Sequence, residues 1–354
     1  MGSTRACRRL GVLAAFAAAY TYALIVFGGI VRITGSGMGC GDDWPRCNGQ
    51  WIPEFTFETL IEYTHRLLGA GIGVVVLAVF AYAWFHRNSA GVGGRGGPLR
   101  AIVAGAILLA VQIVLGAVTV RLELPTGVTV AHFITAMLFM ATLIWAAIRG
   151  TGGSWRSRDP RREGPGAVRG GALAPPGPLR PEGERGAGGL TGGGARRAWR
   201  AAIAALILGL LVVSLGALTA NTPVAPQACR GFPLCSGELF PANTPAHVQW
   251  THRLLAFLLL FHVMAAAWSS VQRGASPAVR SVAFTALGLI VVQFGVAVAL
   301  VTLPLPRDLQ VAHLVIGVAV WAALVVWAEL ARIARDDGAS EQSEPFLDPR
   351  RDPA

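Results

Sequence analysis

The chain has 354 residues, 53% of them hydrophobic and only 14% charged, with a mean hydropathy of +0.54; a soluble domain of that make-up would lack the polar surface to cover itself. All 30 basic residues are Arg, and the formal net charge is +11. The Arg clusters flank apolar runs, so they are read as setting orientation in a bilayer and not as a nucleic-acid surface.

Eight stretches are long enough to cross about 30 Å of hydrocarbon at about 20 residues each: residues 10–33, 60–85, 101–120, 130–148, 201–220, 248–268, 281–302 and 311–333. The first is too long for a signal peptide and lacks a small-residue cleavage site, which predicts a retained helix. The expected fold class is an all-α integral membrane protein of eight transmembrane helices. An even number of spans returns both termini to one side. Arg5, Arg8 and Arg9, then Arg87, Arg95 and Arg100, Arg273 and Arg280, and Arg332 and Arg335 all fall there, which the positive-inside rule makes cytoplasmic.

Residues 151–197 are dominated by Gly, Pro and Arg. That composition cannot offset the entropy of ordering and predicts a disordered cytoplasmic linker. The expected organisation is an N-terminal four-helix half (1–150), a linker (151–198), a C-terminal four-helix half (199–335) and a cytoplasmic tail (336–354).

The halves are repeats. Thr64-His65-Arg66-Leu67-Leu68 recurs as Thr251-His252-Arg253-Leu254-Leu255, and Val-Ala-His ends at both His132 and His313. His65 and His252 lie 187 positions apart; His132 and His313 lie 181 apart, as do Gln112 and Gln293. Since each half holds an even number of spans, both copies enter the bilayer in the same orientation, as two tandem bundles, and equivalent residues sit at equivalent depth. The four repeated histidines are expected near the first turn of spans two, four, six and eight, in the outer leaflet. His86, His247 and His262 have no repeat partner and are read as ordinary polar interface residues.

Two imidazoles on facing helices are what a bis-histidine haem site needs, so His65 with His132, and His252 with His313, are the expected axial ligands of two haem irons. Arg66 and Arg253 follow two of them. Each can bind a haem propionate through charge-assisted hydrogen bonds or snorkel to the headgroups; propionate contact is preferred. Glu62 lies three residues before His65 on the same helical face, and Gln249 takes its place in the second copy. A carboxylate near the membrane interior is costly to keep and is a functional candidate by default, so chemistry is assigned to the first half and a resident cofactor to the second. The competing reading is an interfacial carboxylate paired with a nearby Arg. Cys40 and Cys47 in the first outer loop, and Cys229 and Cys235 in the matching loop, leave Cys7 over. Two short-range disulfides on the oxidising face would each contribute about 2–3 kcal/mol; metal binding is the competitor, without the second cysteine pair that a structural zinc site normally supplies.

Taken together, Gly35-Ser36-Gly37 leading to Cys40, Asp43-Trp44-Pro45 and Cys47, then Glu62-Tyr63-Thr64-His65-Arg66, its echo Gln249-Trp250-Thr251-His252-Arg253, and His132 with His313 resemble the haem A synthases. The resemblance covers nearly the whole chain apart from the linker and the tail. It implies that the first half binds haem O, that the second holds haem b as cofactor, and that a ring methyl of haem O becomes the formyl group of haem A for terminal oxidase biogenesis. It also implies that Glu62 is the catalytic carboxylate, that Cys40 and Cys47 serve the extracytoplasmic side of the site, and that haem O synthase and oxidase assembly factors are partners beside membrane lipid. The linker is longer than the resemblance implies. Two other classes compete. A dihaem b-type cytochrome passing electrons from quinol is expected to place its haems near opposite faces, whereas both sites here share one. A transporter built from repeats is expected to break its helices at mid-bilayer, whereas the prolines here lie mostly at span ends and in loops.

Overall fold

A computed structural model of the protein describes residues 2–94, 96–156, 192–229, 231–241 and 243–343. These form helices α1 (Gly2–Ile33), α2 (Phe57–Phe85), α3 (Leu99–Arg121), α4 (Thr126–Arg156), α5 (Gly192–Asn221), α6 (Ala225–Ala228), α7 (Thr244–Gln272), α8 (Pro277–Thr302) and α9 (Arg307–Ser343). All but the four-residue α6 are long and apolar enough to cross a membrane, over 23 to 33 residues. Their outward faces carry large apolar side chains such as Val74, Leu77, Ile107 and Val291. That is the arrangement a lipid solvent favours, with every backbone group satisfied within its own helix.

The two helices that begin the repeated motif start in the same way. Thr56 accepts a hydrogen bond from the backbone N–H of Thr59 at 3.2 Å to open α2; Asn243 accepts one from Ala246 at 2.9 Å to open α7. A side-chain oxygen at this position satisfies an orphan donor of the first turn. These helices start before their apolar runs do, so the histidines sit deeper than the first turn. His65 lies eight residues into α2 and His252 eight into α7, while His132 and His313 lie six residues into α4 and α9. At 1.5 Å per residue these depths are about 12 and about 9 Å.

Both ends of the expected linker belong to helices. Helix α4 continues to Arg156, helped by Thr151, whose hydroxyl donates to the Ala147 carbonyl at 2.8 Å. Helix α5 begins at Gly192 and passes through Ala195, Arg196, Arg197 and Ala198, all good helix formers. The rest of the expected linker, 157–191, lies outside the described residues. The expected tail is likewise helical as far as Ser343, and the i,i+4 pair of Arg332 and Asp336 at 2.8 Å supports that extension. Residues 344–354 lie outside the description.

Within the first half α1 packs on α2 and α4, and α3 on α2 and α4; within the second, α5 packs on α7 and α9, and α8 on α7 and α9. The halves meet where α1 and α4 lie against α5 and α9. One buried cluster draws Ile25 from α1, Met137 and Met140 from α4, and Val318, Trp321 and Val325 from α9. Polar bonds stitch this seam along its length. Near the cysteine-loop end Thr126 donates to the Asn221 carbonyl at 2.8 Å. Further in, Tyr22 donates to the Val315 carbonyl at 2.8 Å and Trp321 to the Met137 carbonyl at 2.9 Å. At the far end Glu329, 3% exposed, accepts from Arg149 of the other half at 2.8 Å and from Arg332 at 2.6 Å. Removing the carboxylate would leave Arg149 without its counter-charge, while Arg332 would keep only the exposed Asp336. Glu329→Ala is therefore expected to destabilise the folded protein by about 3–5 kcal/mol, visible as a lowered midpoint of thermal unfolding in detergent. An unchanged midpoint would show that the seam does not depend on this triad.

Candidate functional site

Each half carries a loop closed by a disulfide, Cys40 to Cys47 in the first and Cys229 to Cys235 in the second, and each loop folds back through one β-bridge, Cys47 with Gln50 and Cys235 with Glu238. Cys7 stays free. In both halves an acidic or amide side chain and an arginine of the helix below hold the loop by its backbone. Glu62 accepts the backbone N–H of Cys40 at 2.9 Å, and Gln249 accepts that of Cys229 at 2.8 Å. Arg66 donates to the carbonyls of Asp43 and Arg46, both at 2.7 Å. Arg253 donates to Cys229 and Gly231 at 2.8 Å and to Leu234 at 3.2 Å. The halves differ at the carboxylate position. Glu62 also pairs with Arg66, through Nε at 3.1 Å and Nη2 at 2.5 Å, whereas Gln249 turns its amide to the Pro226 carbonyl at 3.3 Å. Glu62 is thus a buried carboxylate, 3% exposed, whose charge is matched by its own helix.

Deeper in, the four histidines come together as two pairs. His65 and His132 are close enough to interact electrostatically, and so are His313 and His252. Small residues on neighbouring helices make room for the rings: a Cβ at Gly28 would stand 3.0 Å from Cε1 of His65, one at Gly116 3.2 Å from Cε1 of His132, and one at Gly216 3.0 Å from Cε1 of His252. The ring of His65 also stacks on Phe27 with centroids 6.3 Å apart. In the second half Nδ1 of His252 bonds the Val212 carbonyl at 3.0 Å, and Nδ1 of His313 bonds Gln293 at 3.1 Å. In the first half Nδ1 of both His65 and His132 is buried without a partner, and His132 is held instead at Nε2, by Gln112 at 3.1 Å.

The unpaired histidines behave as interface residues. His86 bonds the Tyr82 carbonyl and His262 the Ala201 carbonyl, both at 2.9 Å, while His247 is exposed. The glycine pockets, the two glutamines and the Val212 carbonyl escaped the sequence reading. Only the glutamines left a signal, in their repeat spacing.

The donor set fits a haem. Among the described residues no three His, Cys, Asp or Glu side chains gather as a bare metal site, so two half-buried imidazoles per half suit an iron whose remaining positions a porphyrin fills. The fold and site therefore define a class: a duplicated membrane-embedded helical protein with one bis-imidazole site per half, each roofed by a disulfide loop.

Comparison with known proteins narrows the class. The family model described as cytochrome oxidase assembly protein, COX15-CtaA, matches residues 11–174 and 188–325. The haem A synthase of Geobacillus kaustophilus is 30% identical over 73% of this chain and 71% of its own length. That of Rhizorhabdus wittichii is 27% identical over 88% of this chain and 90% of its own. A protohaem IX farnesyltransferase of Thermus thermophilus is 29% identical over 86% of this chain but only 46% of its own length. The chain belongs to the COX15-CtaA family of cytochrome oxidase assembly proteins.

Proposed function

We propose that this chain is an oxidoreductase that converts haem O to haem A, with haem O bound in the first half between His65 and His132 and a resident haem b in the second between His252 and His313. The observation that carries the division is a chemical difference between two similar roofs, Glu62 against Gln249. Turning a methyl into a formyl group removes four electrons and adds one oxygen, so protons must leave the reacting carbon. A carboxylate can accept a proton or face a developing positive charge, and an amide does neither well. A resident haem b supplies one-electron transfer. The chain's own part is to set depth, through matched helix starts, to hold the roof, through Arg66 and Arg253, and to place Glu62 one turn above His65. A propionate contact by either arginine would require it to replace a loop carbonyl.

Haem extraction from cells making this chain with a haem O source should yield haem A by mass. Haem O alone would overturn the assignment. The name of the Thermus relative supports haem O synthase, a farnesyltransferase, as the neighbouring activity; oxidase assembly factors are the downstream partners of this reading.

The Arg-rich ends of the bundle are assigned to the cytoplasm, and the cysteine loops to the oxidising outer face of the cell membrane. Protease added outside intact cells should therefore leave the connection between α4 and α5 uncut. Cleavage there from outside would reverse the orientation and move all four histidines to the inner leaflet.

A further inference from the structure

Gln112 and Gln293 occupy matching positions on α3 and α8, each 20 residues before its histidine. An amide inside an apolar helix is costly unless it is bonded, and both reach their histidine at 3.1 Å, but on different nitrogens. Gln293 holds Nδ1 of His313 and also donates to that residue's own carbonyl at 3.0 Å. Gln112 holds Nε2 of His132.

Small residues explain the difference. One turn beyond His313 stands Gly317, where a Cβ would come 3.4 Å from the Gln293 amide nitrogen; the matching residue beyond His132 is Ala136. Conversely, Gly116 leaves room beside Cε1 of His132, and its match in α8 is Ala297. The two halves have exchanged glycine and alanine around the ring, and the glutamine lies on opposite sides of it.

The consequence lies in which nitrogen an iron can use. Nδ1 adjoins the ring's own Cβ, so Nε2 is the nitrogen that reaches a metal between helices. In the second half both histidines are bonded at Nδ1, His252 donating to the Val212 carbonyl and His313 accepting from the Gln293 amide, so neither glutamine nor carbonyl occupies Nε2. In the first half the protein already occupies Nε2 of His132.

We propose that Gln112 is a release latch on the substrate site, its amide competing with the substrate iron for Nε2 of His132, whereas Gln293 bonds the other ring nitrogen of His313 and does not occupy Nε2 there. The proposal rests on haem O occupying the first half and haem b the second. When iron takes Nε2, the buried Gln112 amide loses its partner. A buried polar group left unbonded weakens binding by about one to two powers of ten, and re-forming the bond helps product leave. A site that must release haem A gains from such a competitor; a site that keeps haem b does not.

The test uses the purified full-length protein loaded with haem O, with haem release followed by transfer to apomyoglobin. Wild type should show two classes, a retained haem b and an exchangeable haem O. Gln112→Met, similar in volume but without the hydrogen bond, should slow haem O release about tenfold or more. The double change Gly116→Ala with Ala136→Gly, which copies the second half, should slow it in the same direction. Gln293→Met should leave haem O release unchanged. If wild type releases both haems at one rate, the assignment of the halves and the latch fall together. If two classes appear but both first-half variants release haem O at the wild-type rate or faster, the latch alone is overturned.

Discussion

Glu62→Gln is expected to abolish nearly all haem A formation while leaving the fold and the haem b of the second half in place. The second half is the built-in control for folding, because Gln249 already makes the bond that ties helix to loop, at 2.8 Å against 2.9 Å for Glu62. Arg66 loses its carboxylate but keeps the carbonyls of Asp43 and Arg46, so the roof stays anchored. What disappears is the group able to take a proton, and loss of such a group commonly costs about 10² to 10⁴ in rate. A few per cent residual activity agrees with the assignment; the wild-type rate would reduce Glu62 to an interfacial carboxylate paired with its neighbour. The reverse change, Gln249→Glu, should not create a second active site. It would set a carboxylate against the Pro226 carbonyl that the amide now contacts at 3.3 Å, while the Arg253 donors are already engaged with the loop. That variant is expected to be destabilised and to make haem A only in its first half. Haem A and any hydroxylated intermediate, quantified per mole of folded protein, decide both cases.

The sequence disclosed the fold to the extent that periodicity and repetition carry it. Apolar run length located all eight spans, and the offset between Thr64-His65-Arg66 and Thr251-His252-Arg253 matched the halves helix by helix. Repetition also identified the cysteine pairs and the four histidines. It could not show what each polar group touches. From sequence Arg66 points toward a propionate, whereas the structure turns it to Glu62 and to loop carbonyls some 20 positions away, which only the folded loop brings alongside. The seam was illegible for a similar reason. Tyr22, Trp321 and Arg149 bond residues hundreds of positions away or nearly so, and nothing periodic announces them. Helix ends were misjudged where the hydrophobic run stopped before the hydrogen-bond ladder did, at Ile148 in α4 and Ile333 in α9.

Replacing His252 or His313 with Ala should strip the resident haem b, whereas replacing His65 or His132 should impair conversion of haem O and spare most of that haem. The four residues are chemically alike and half-buried, so composition alone would assign them equal effects. Their surroundings do not. The rings of His252 and His313 are held at Nδ1 by Val212 and Gln293, which fixes their rotation before any ligand arrives and lowers the entropy cost of binding one. Metal affinity commonly falls 10- to 100-fold when such an outer hydrogen bond is lost, and losing the ligand itself should cost more, so haem b occupancy should fall to near zero in either second-half variant. His65 and His132 have no such anchor at Nδ1, and in the proposed division theirs is the site that exchanges its occupant. The measurements are the haem content of each purified variant and its reduced absorbance spectrum, read beside haem A yield in cells. Equal haem loss in all four variants would mean that the two halves bind haem alike, and the difference between anchored and unanchored rings would then have no bearing on which haem stays.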